Sequence, residues 1–431
     1  MMTSNTIYDE IYTWIWLPGE TQPVVAGKLA QVNQRILFNY GQSYLERDNA
    51  IAIFDEELPL VSGVQEKKFG TEPMPGCIRD AAPDAWGRRV ILNKLLGAKG
   101  NTADPGDLNE FTYLMQSGSD RIGGLDFQQS PIIYEPRIAK QIDLDELLHS
   151  AALIEQGIPL NPELAQAIYH GTSIGGARPK ALINGPHTKR IAKFSSSTDQ
   201  YNIIKAEFIA MRLAKLCGLK TAEVELVSAS GKDVLLIERF DRVQHDNRSQ
   251  LSKEQPNNAW QRQLMVSALT LLGLDEMTPH YASYEDFAEK IRHRFTSPKE
   301  TLKEMFGRMV FNILASNTDD HARNHAAFWN GHELTLTPAY DICPQLRQGG
   351  EATQAMKIIG TNNSSRLTTC LAGAHNFMLS ENQARDMIKH QLASINNHWD
   401  EVCEQAKLSP MDRALFKQRL FLNPYAFEGY I

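Results

Sequence analysis

The sequence predicts an α+β fold, with a small β-rich part near the N-terminus and a mainly helical C-terminal part. Three observations carry that prediction. Short apolar runs rich in aromatic and β-branched residues recur through residues 8–60, with turn residues between them. A strand, glycine-rich turn, strand pattern occupies residues 171–194. From about residue 260 the apolar residues recur at helical spacing instead.

Taken in order, residues 12–17 read as a strand stopped by Pro18-Gly19, with further strands at 24–29, 35–40 and 51–54. Their even spacing suits a small antiparallel sheet. Pro83 opens a helix that runs to Leu96. Residues 98–107 form a Gly/Asn/Pro/Asp loop, and 120–127 a turn entering a strand. Residues 128–160 link to the next part, with a helix at 144–155, and another helix starts at Asn161-Pro162. An amphipathic helix at 201–216 is closed by Gly218 and carries Glu207 on its apolar face, where a carboxylate wants a cationic partner. Strands follow at 221–227 and 233–242, then a polar loop at 243–257. Ser297-Pro298-Lys299-Glu300 reads as a capping box opening a helix with Leu302, Met305, Phe306, Met309, Val310, Ile313 and Leu314 on one face. Ser380-Glu381-Asn382-Gln383 caps another. The expected divisions are 1–130, 150–242 and 243–431.

Composition narrows the class. A chain of 431 residues can bury a large core, and its apolar content of 42% is ordinary. No run approaches eighteen apolar residues, so no membrane span is expected. The N-terminal residues lack the basic and apolar regions of a secretory signal. Five scattered cysteines without a CxxC suit free thiols in a reducing cytoplasm. A net charge of −7 argues against a strong DNA grip by this chain alone.

The chemistry concentrates in residues 311–341. Asp319, His321 and Asn324 fall within six positions, and Asp341 follows Asn324 by seventeen. One carboxylate can orient an attacking hydroxyl while an amide and a second carboxylate hold Mg²⁺. The five-residue gap from Asp319 to Asn324 equals that of the protein-kinase loop H-R-D-x-x-x-x-N, but no His-Arg precedes Asp319. The plain alternative is a helix end followed by a polar loop. Asp341 lies just past a short alternating fragment at 334–336, where a second metal-binding carboxylate belongs. Upstream, Gly171 and Gly176 have the spacing of a phosphate loop, but Ala177-Arg178 replaces the Lys-Ser/Thr of a Walker motif. The glycines can still bring backbone N–H groups to phosphate, a tight hairpin being the plain alternative. Lys193 on the next strand and Glu207 on the next helix match the ion pair that positions the α- and β-phosphates.

These residues resemble the HipA family of toxin kinases. The resemblance rests on Trp16-Leu17-Pro18-Gly19, Asp120-Arg121-Ile122-Gly123-Gly124-Leu125, Ser173-Ile174-Gly175-Gly176-Ala177-x-x-Lys180, Glu238-Arg239-Phe240-Asp241-Arg242 and Asn317-Thr318-Asp319-Asp320-His321-Ala322-Arg323-Asn324. It implies a bilobed, protein-kinase-like fold and a serine/threonine protein kinase that uses ATP and Mg²⁺. Asp319 would be the proton acceptor, and Asn324 and Asp341 the metal ligands. Gly175, Gly176, Ala177, Arg178, Pro179, Lys180, Lys193 and His321 would contact ATP, and Glu238, Arg239 and Phe240 would form the adenine hinge. Ser173 would be the autophosphorylated serine. The implied partners are a HipB-like helix-turn-helix antitoxin, operator DNA reached mainly through it, and a protein substrate such as glutamyl-tRNA synthetase or another aminoacyl-tRNA synthetase, whose modification halts translation and promotes dormancy. Two other classes stay open from the residues alone: a small-molecule phosphotransferase of the aminoglycoside-kinase kind, and a weakly active scaffold in a DNA-bound repressor complex.

Overall fold

The N-terminal strands pair as their alternation dictates. In a computed structural model of the chain they are β1 (Glu10–Ile15), β2 (Val24–Val32), β3 (Arg35–Tyr40), β4 (Val64–Gln65) and β5 (Leu125–Gln128). The structure describes residues 8–33, 35–66, 72–96, 104–138, 143–156, 158, 160, 174, 176–185, 187–244, 260–346 and 350–430. Gly171, Ser173, Gly175 and the helix expected from Asn161 therefore lie outside the described residues.

The five strands form one antiparallel sheet in the order β4-β3-β2-β1-β5. Along β3, Ile36, Phe38 and Tyr40 are buried and the residues between them are not, the period-two pattern of a sheet with one wet face. Residues 51–54 do not extend it, contrary to the sequence expectation. Phe54 makes only an isolated bridge to Leu58. The hydroxyls of Tyr44 and Tyr40 accept from the amides of Ile51 and Ile53 at 3.3 and 2.9 Å and donate to the carbonyls of Ile51 and Leu58. Side chains thus satisfy the backbone groups that a neighbouring strand would otherwise pair.

The chain folds as two units. The first comprises Met1–Thr198, Val227–Met265 and Trp329–His332, and the second Asp199–Leu226, Val266–Phe328 and Glu333–Ile431. Besides the N-terminal sheet, the first unit contains helices α1 (Ala85–Leu96), α2 (Glu110–Gln116) and α3 (Leu144–Glu155). It also contains β6 (Lys180–Asn184), β7 (Lys189–Phe194) and β9 (Lys232–Glu238), which with β8 (Val224–Ala229) make a sheet in the order β6-β7-β9-β8. Trp86 and Val90 of α1 and Leu147, Leu148, Ala151 and Ile154 of α3 pack with Ala181, Ala192, Phe194, Val234 and Leu236 into one core cluster.

The second unit is mainly helical: α4 (Ile203–Leu216), α5 (Tyr284–Arg294), α6 (Pro298–Leu314), α7 (Leu367–Gly373), α8 (Glu381–Gln405) and α9 (Pro410–Arg419). The apolar face read from the sequence of α6 is fully buried, from Leu302 through Leu314. Two side chains of α8 fasten it to its neighbours: Gln391 donates to the Gly307 carbonyl at 2.8 Å and Ser394 to the Leu216 carbonyl at 2.9 Å. Ser380 forms the expected capping box with Gln383. Ser297 does not cap α6. Its ψ of 71° departs from the extended backbone near 150–160° that Ser380 and Ser409 adopt, and its side chain misses the helix amides. Among the described residues, no helix is long and apolar enough to cross a membrane.

Candidate active site

The site residues expected from the sequence divide between the two units. Gly176 to Lys180, Lys193 and Glu238 to Phe240 belong to the first, and Glu207, Asp319, His321, Asn324 and Asp341 to the second.

In the first unit, pairing register decides which way side chains point. Lys180 of β6 lies directly opposite Lys193 of β7, Leu182 opposite Ile191, Ile191 opposite Ile237 and Lys193 opposite Leu235. Opposed residues share a face. Ala181, Ala192, Phe194, Val234 and Leu236 face the core, so Lys180, Leu182, Ile191, Lys193, Leu235 and Ile237 occupy the other face. That face is an apolar strip with two ammonium groups at one end, both on buried residues. Placing two ammonium groups opposite one another makes that end of the face cationic. Glu238 pairs with Arg190 at the other end of β7, three residues from Lys193. At the rise of an extended strand, that separation is about 10 Å.

The glycine turn caps the lysine end. Gly176 has φ +105°, and a Cβ there would fall 2.6 Å from Lys180 Nζ. The turn wraps the ammonium at a distance only glycine permits. Ala177 is exposed, Arg178 half-buried and Pro179 buried.

Arg239 has a different place from the one expected of a hinge side chain. Its guanidinium is buried, donating to Asp241 Oδ1 and Oδ2 at 2.9 and 2.8 Å, to Asp120 Oδ1 at 3.0 Å and to the Arg121 carbonyl at 2.6 Å. Its amide donates to the Lys189 carbonyl at 2.8 Å, leaving its carbonyl as the group available to a ligand. Arg242 joins the cluster through Asp120 and Asp241, and the Gly123 amide donates to Asp241 at 2.8 Å. Burial alone would raise the Asp120 and Asp241 carboxyls, yet the arginines beside them hold both below the ordinary carboxylate range. Two of the stretches singled out in the sequence, 120–125 and 238–242, thus meet in one closed ion cluster. Periodicity carries no sign of it. The alternation of unlike charges in Asp120-Arg121 and Arg239-x-Asp241-Arg242 was the available signal.

In the second unit, α6 delivers the chain to the loop at 317–324. The Asn317 amide donates to the Asn312 carbonyl at 2.8 Å, and its side chain donates to Asn312 Oδ1 at 3.0 Å. Gln354 donates to the Asn317 carbonyl and the Ala355 amide to that of Thr318, each at 3.0 Å. Within the loop, the His321 amide donates to the Asp319 carbonyl at 2.9 Å and the Asn324 amide to that of His321 at 2.8 Å. The Asn324 side-chain nitrogen reaches the Asp319 carbonyl at 3.3 Å, leaving its amide oxygen as an acceptor.

Asp319 is exposed and Asp320 buried. Tyr284 donates to Asp320, and His325 Nε2 lies 3.1 Å from it. Asp320 is therefore a structural anchor, which leaves Asp319 as the carboxylate presented to solvent. Partial burial raises the Asp319 carboxyl above its ordinary value, the charges of Asp341 and Asp320 raise it further, and His321 opposes them. Asp341 has φ +59°, a left-handed conformation that costs a non-glycine residue roughly 1–2 kcal/mol. The preceding segment holds it there. Ala339 bridges Thr221, and Tyr340 donates to the Arg323 carbonyl at 2.7 Å.

The oxygens of Asn324 and Asp341 are the hard donors that Mg²⁺ prefers. His321 Nδ1 is buried without a hydrogen bond, and Asp319 and Asp341 repel one another, so the loop has unmet polar capacity for a cation and its ligands. Among the described residues, no group of three His, Cys, Asp or Glu could hold a metal by itself. A two-ligand Mg²⁺ site completed by phosphate and water is the arrangement that fits. Glu207 is buried, as its position on the α4 face predicted.

The HipA N-terminal domain matches residues 17–128 and the HipA-like C-terminal domain matches residues 172–399. The serine/threonine-protein kinase toxin HipA of Shewanella oneidensis is 23% identical over 288 residues, 60% of each chain. Y4mE of Sinorhizobium fredii, classed by name among kinases, is 25% identical over 336 residues, 71% of each chain. The structure of S. oneidensis HipA with HipB and operator DNA superimposes with a TM-score of 0.66 at 19% identity, covering 94% of this chain and 93% of that one. At that identity the likeness carries the fold.

Proposed function

The chain belongs to the HipA family of kinases, and we propose that it moves the γ-phosphoryl group of ATP to a serine or threonine of a protein. The observation that carries this reading is the solvent-presented carboxylate of Asp319, held within reach of the Asp341 charge on a loop whose backbone is hydrogen-bonded internally and whose Asn324 keeps its amide oxygen as an acceptor.

Each residue has a task in this reading. The apolar strip of Leu182, Ile191, Leu235 and Ile237 takes the base and ribose, with backbone groups at Glu238 to Phe240 available to the base edge. Its length of about 10 Å suits a nucleoside leading to its phosphates. Lys180, Lys193 and the turn at Gly176 to Pro179 hold the phosphates. Glu207 is the helix carboxylate that the kinase pattern assigns to orienting a phosphate-binding lysine. Asp319 aligns the attacking hydroxyl and accepts its proton, a role its raised pKa favours. His321 supports the phosphate end. Mg²⁺ on Asn324 and Asp341 would neutralise phosphate charge.

The same reading extends to partners. HipA of S. oneidensis assembles with HipB and operator DNA, and a HipB-like antitoxin that brings this chain to DNA agrees with its net charge of −7. An aminoacyl-tRNA synthetase is the proposed substrate class, and Ser173 the proposed site of self-modification. Incubation with γ-labelled Mg·ATP and a lysate, followed by identification of labelled proteins, tests the reading. Label on a synthetase and on Ser173 is expected. Label on small molecules alone, or none, would contradict it.

A further inference from the structure

The glycine turn is fastened by a segment that the phosphate-binding role does not use. Both backbone groups of Gly176 are engaged by residues at the start of α1. Asp84 Oδ2 accepts from the Gly176 amide, and the Trp86 amide donates to the Gly176 carbonyl at 3.4 Å. The Trp86 indole also donates to the Lys180 carbonyl at 3.3 Å. Three hydrogen bonds from residues 84–86 thus hold both ends of the turn that wraps the Lys180 ammonium. Trp86 is itself buried in the core between α3 and the β6-β7-β9-β8 sheet. The clasp is therefore anchored in the fold.

We propose that Asp84 and Trp86 are positioning residues that fix the glycine turn over Lys180 and thereby set the affinity for a nucleoside triphosphate. The proposal rests on the nucleotide reading of the turn. The physical reason is preorganisation. A glycine at φ +105° loses much conformational freedom on ordering, and a turn already held by the fold loses that freedom before the phosphates arrive rather than on binding. Asp84 acts through the Gly176 amide, so its effect falls on binding more than on transfer.

The test uses the full chain with Asp84→Ala, Asp84→Asn and Trp86→Phe. Three readouts are compared: the dissociation constant for Mg·ATP, the split between KM and kcat, and amide hydrogen exchange across residues 176–184 without nucleotide. Asp84→Ala should weaken ATP about tenfold and raise KM to match, with kcat within about threefold, as expected for losing one charge-assisted hydrogen bond. Asp84→Asn keeps an oxygen that accepts the Gly176 amide and should recover most of the affinity. Trp86→Phe keeps the ring packing and should weaken ATP about threefold. Exchange in 176–184 should quicken in Asp84→Ala while the N-terminal sheet is unchanged. Wild-type affinity and exchange in both Asp84→Ala and Trp86→Phe would overturn the clasp, as would an Asp84→Asn as impaired as Asp84→Ala. If the wild-type chain binds no nucleotide, the nucleotide reading fails. Unchanged exchange beside intact nucleotide binding sinks the clasp alone.

Discussion

Two polar clusters in this molecule are built on opposite principles. The cluster of Asp120, Arg239, Asp241 and Arg242 balances its charges, and its two guanidinium groups donate repeatedly to the two carboxylates and to the Arg121 carbonyl. The loop at 317–324, with Asp341, gathers like charges and leaves one carboxylate exposed above its ordinary pKa. Both regions contribute to the family resemblance. The difference separates a charged motif closed within the fold from one that, in the proposed reading, serves chemistry. A closed ion cluster resists further ligands, whereas an acidic loop with unmet polar capacity requires one.

Breaking the closed cluster should cost the most stability. Arg239→Ala leaves Asp120 and Asp241 with less compensation and should destabilise the fold by about 3–5 kcal/mol in denaturant unfolding. A loss below about 1 kcal/mol would mean that the cluster is not a structural lock. The pH dependence sharpens the contrast. The folded-state pKa values of Asp120 and Asp241 are depressed, so their contribution is full above the unfolded carboxylate value of about 4 and is lost as pH falls below it. Asp319 is raised, so its contribution is present at low pH and lost as pH rises through its folded value. Unfolding measured from pH 7 to 3 should show stability falling below about pH 4, with the fall reduced in Arg239→Ala.

The smallest effects test local geometry. Ser380→Ala should cost about 1 kcal/mol and Ser297→Ala only a few tenths, because only Ser380 caps its helix. Equal losses in thermal unfolding would contradict the cap geometry.

Much of this was legible from residue patterns. The helix at Leu144–Glu155 has the bounds its sequence predicts, and α6 buries the face its spacing marks. Glu207 is buried as its place in the helix pattern implies. What could not be read depends on partners distant in the chain. Arg239 meets Asp120 across 119 residues, and Asp84 meets Gly176 across 92. Local periodicity cannot encode such pairs. Residues 51–54 look like a strand, but two tyrosine hydroxyls took the hydrogen bonds a strand would have made. Asp319 and Asp320 look equivalent in sequence. Only the buried partners of Asp320, Tyr284 and His325, separate the anchor from the presented carboxylate.

The central claim is that Asp319 performs chemistry and contributes little to the fold. Phosphoryl transfer from γ-labelled Mg·ATP by Asp319→Asn, with its unfolding midpoint measured alongside, tests this most directly. Transfer should fall about 10²–10⁴-fold while the midpoint is unchanged or raised, because a carboxylate of elevated pKa is removed. Transfer within tenfold of wild type from a folded variant would contradict the account.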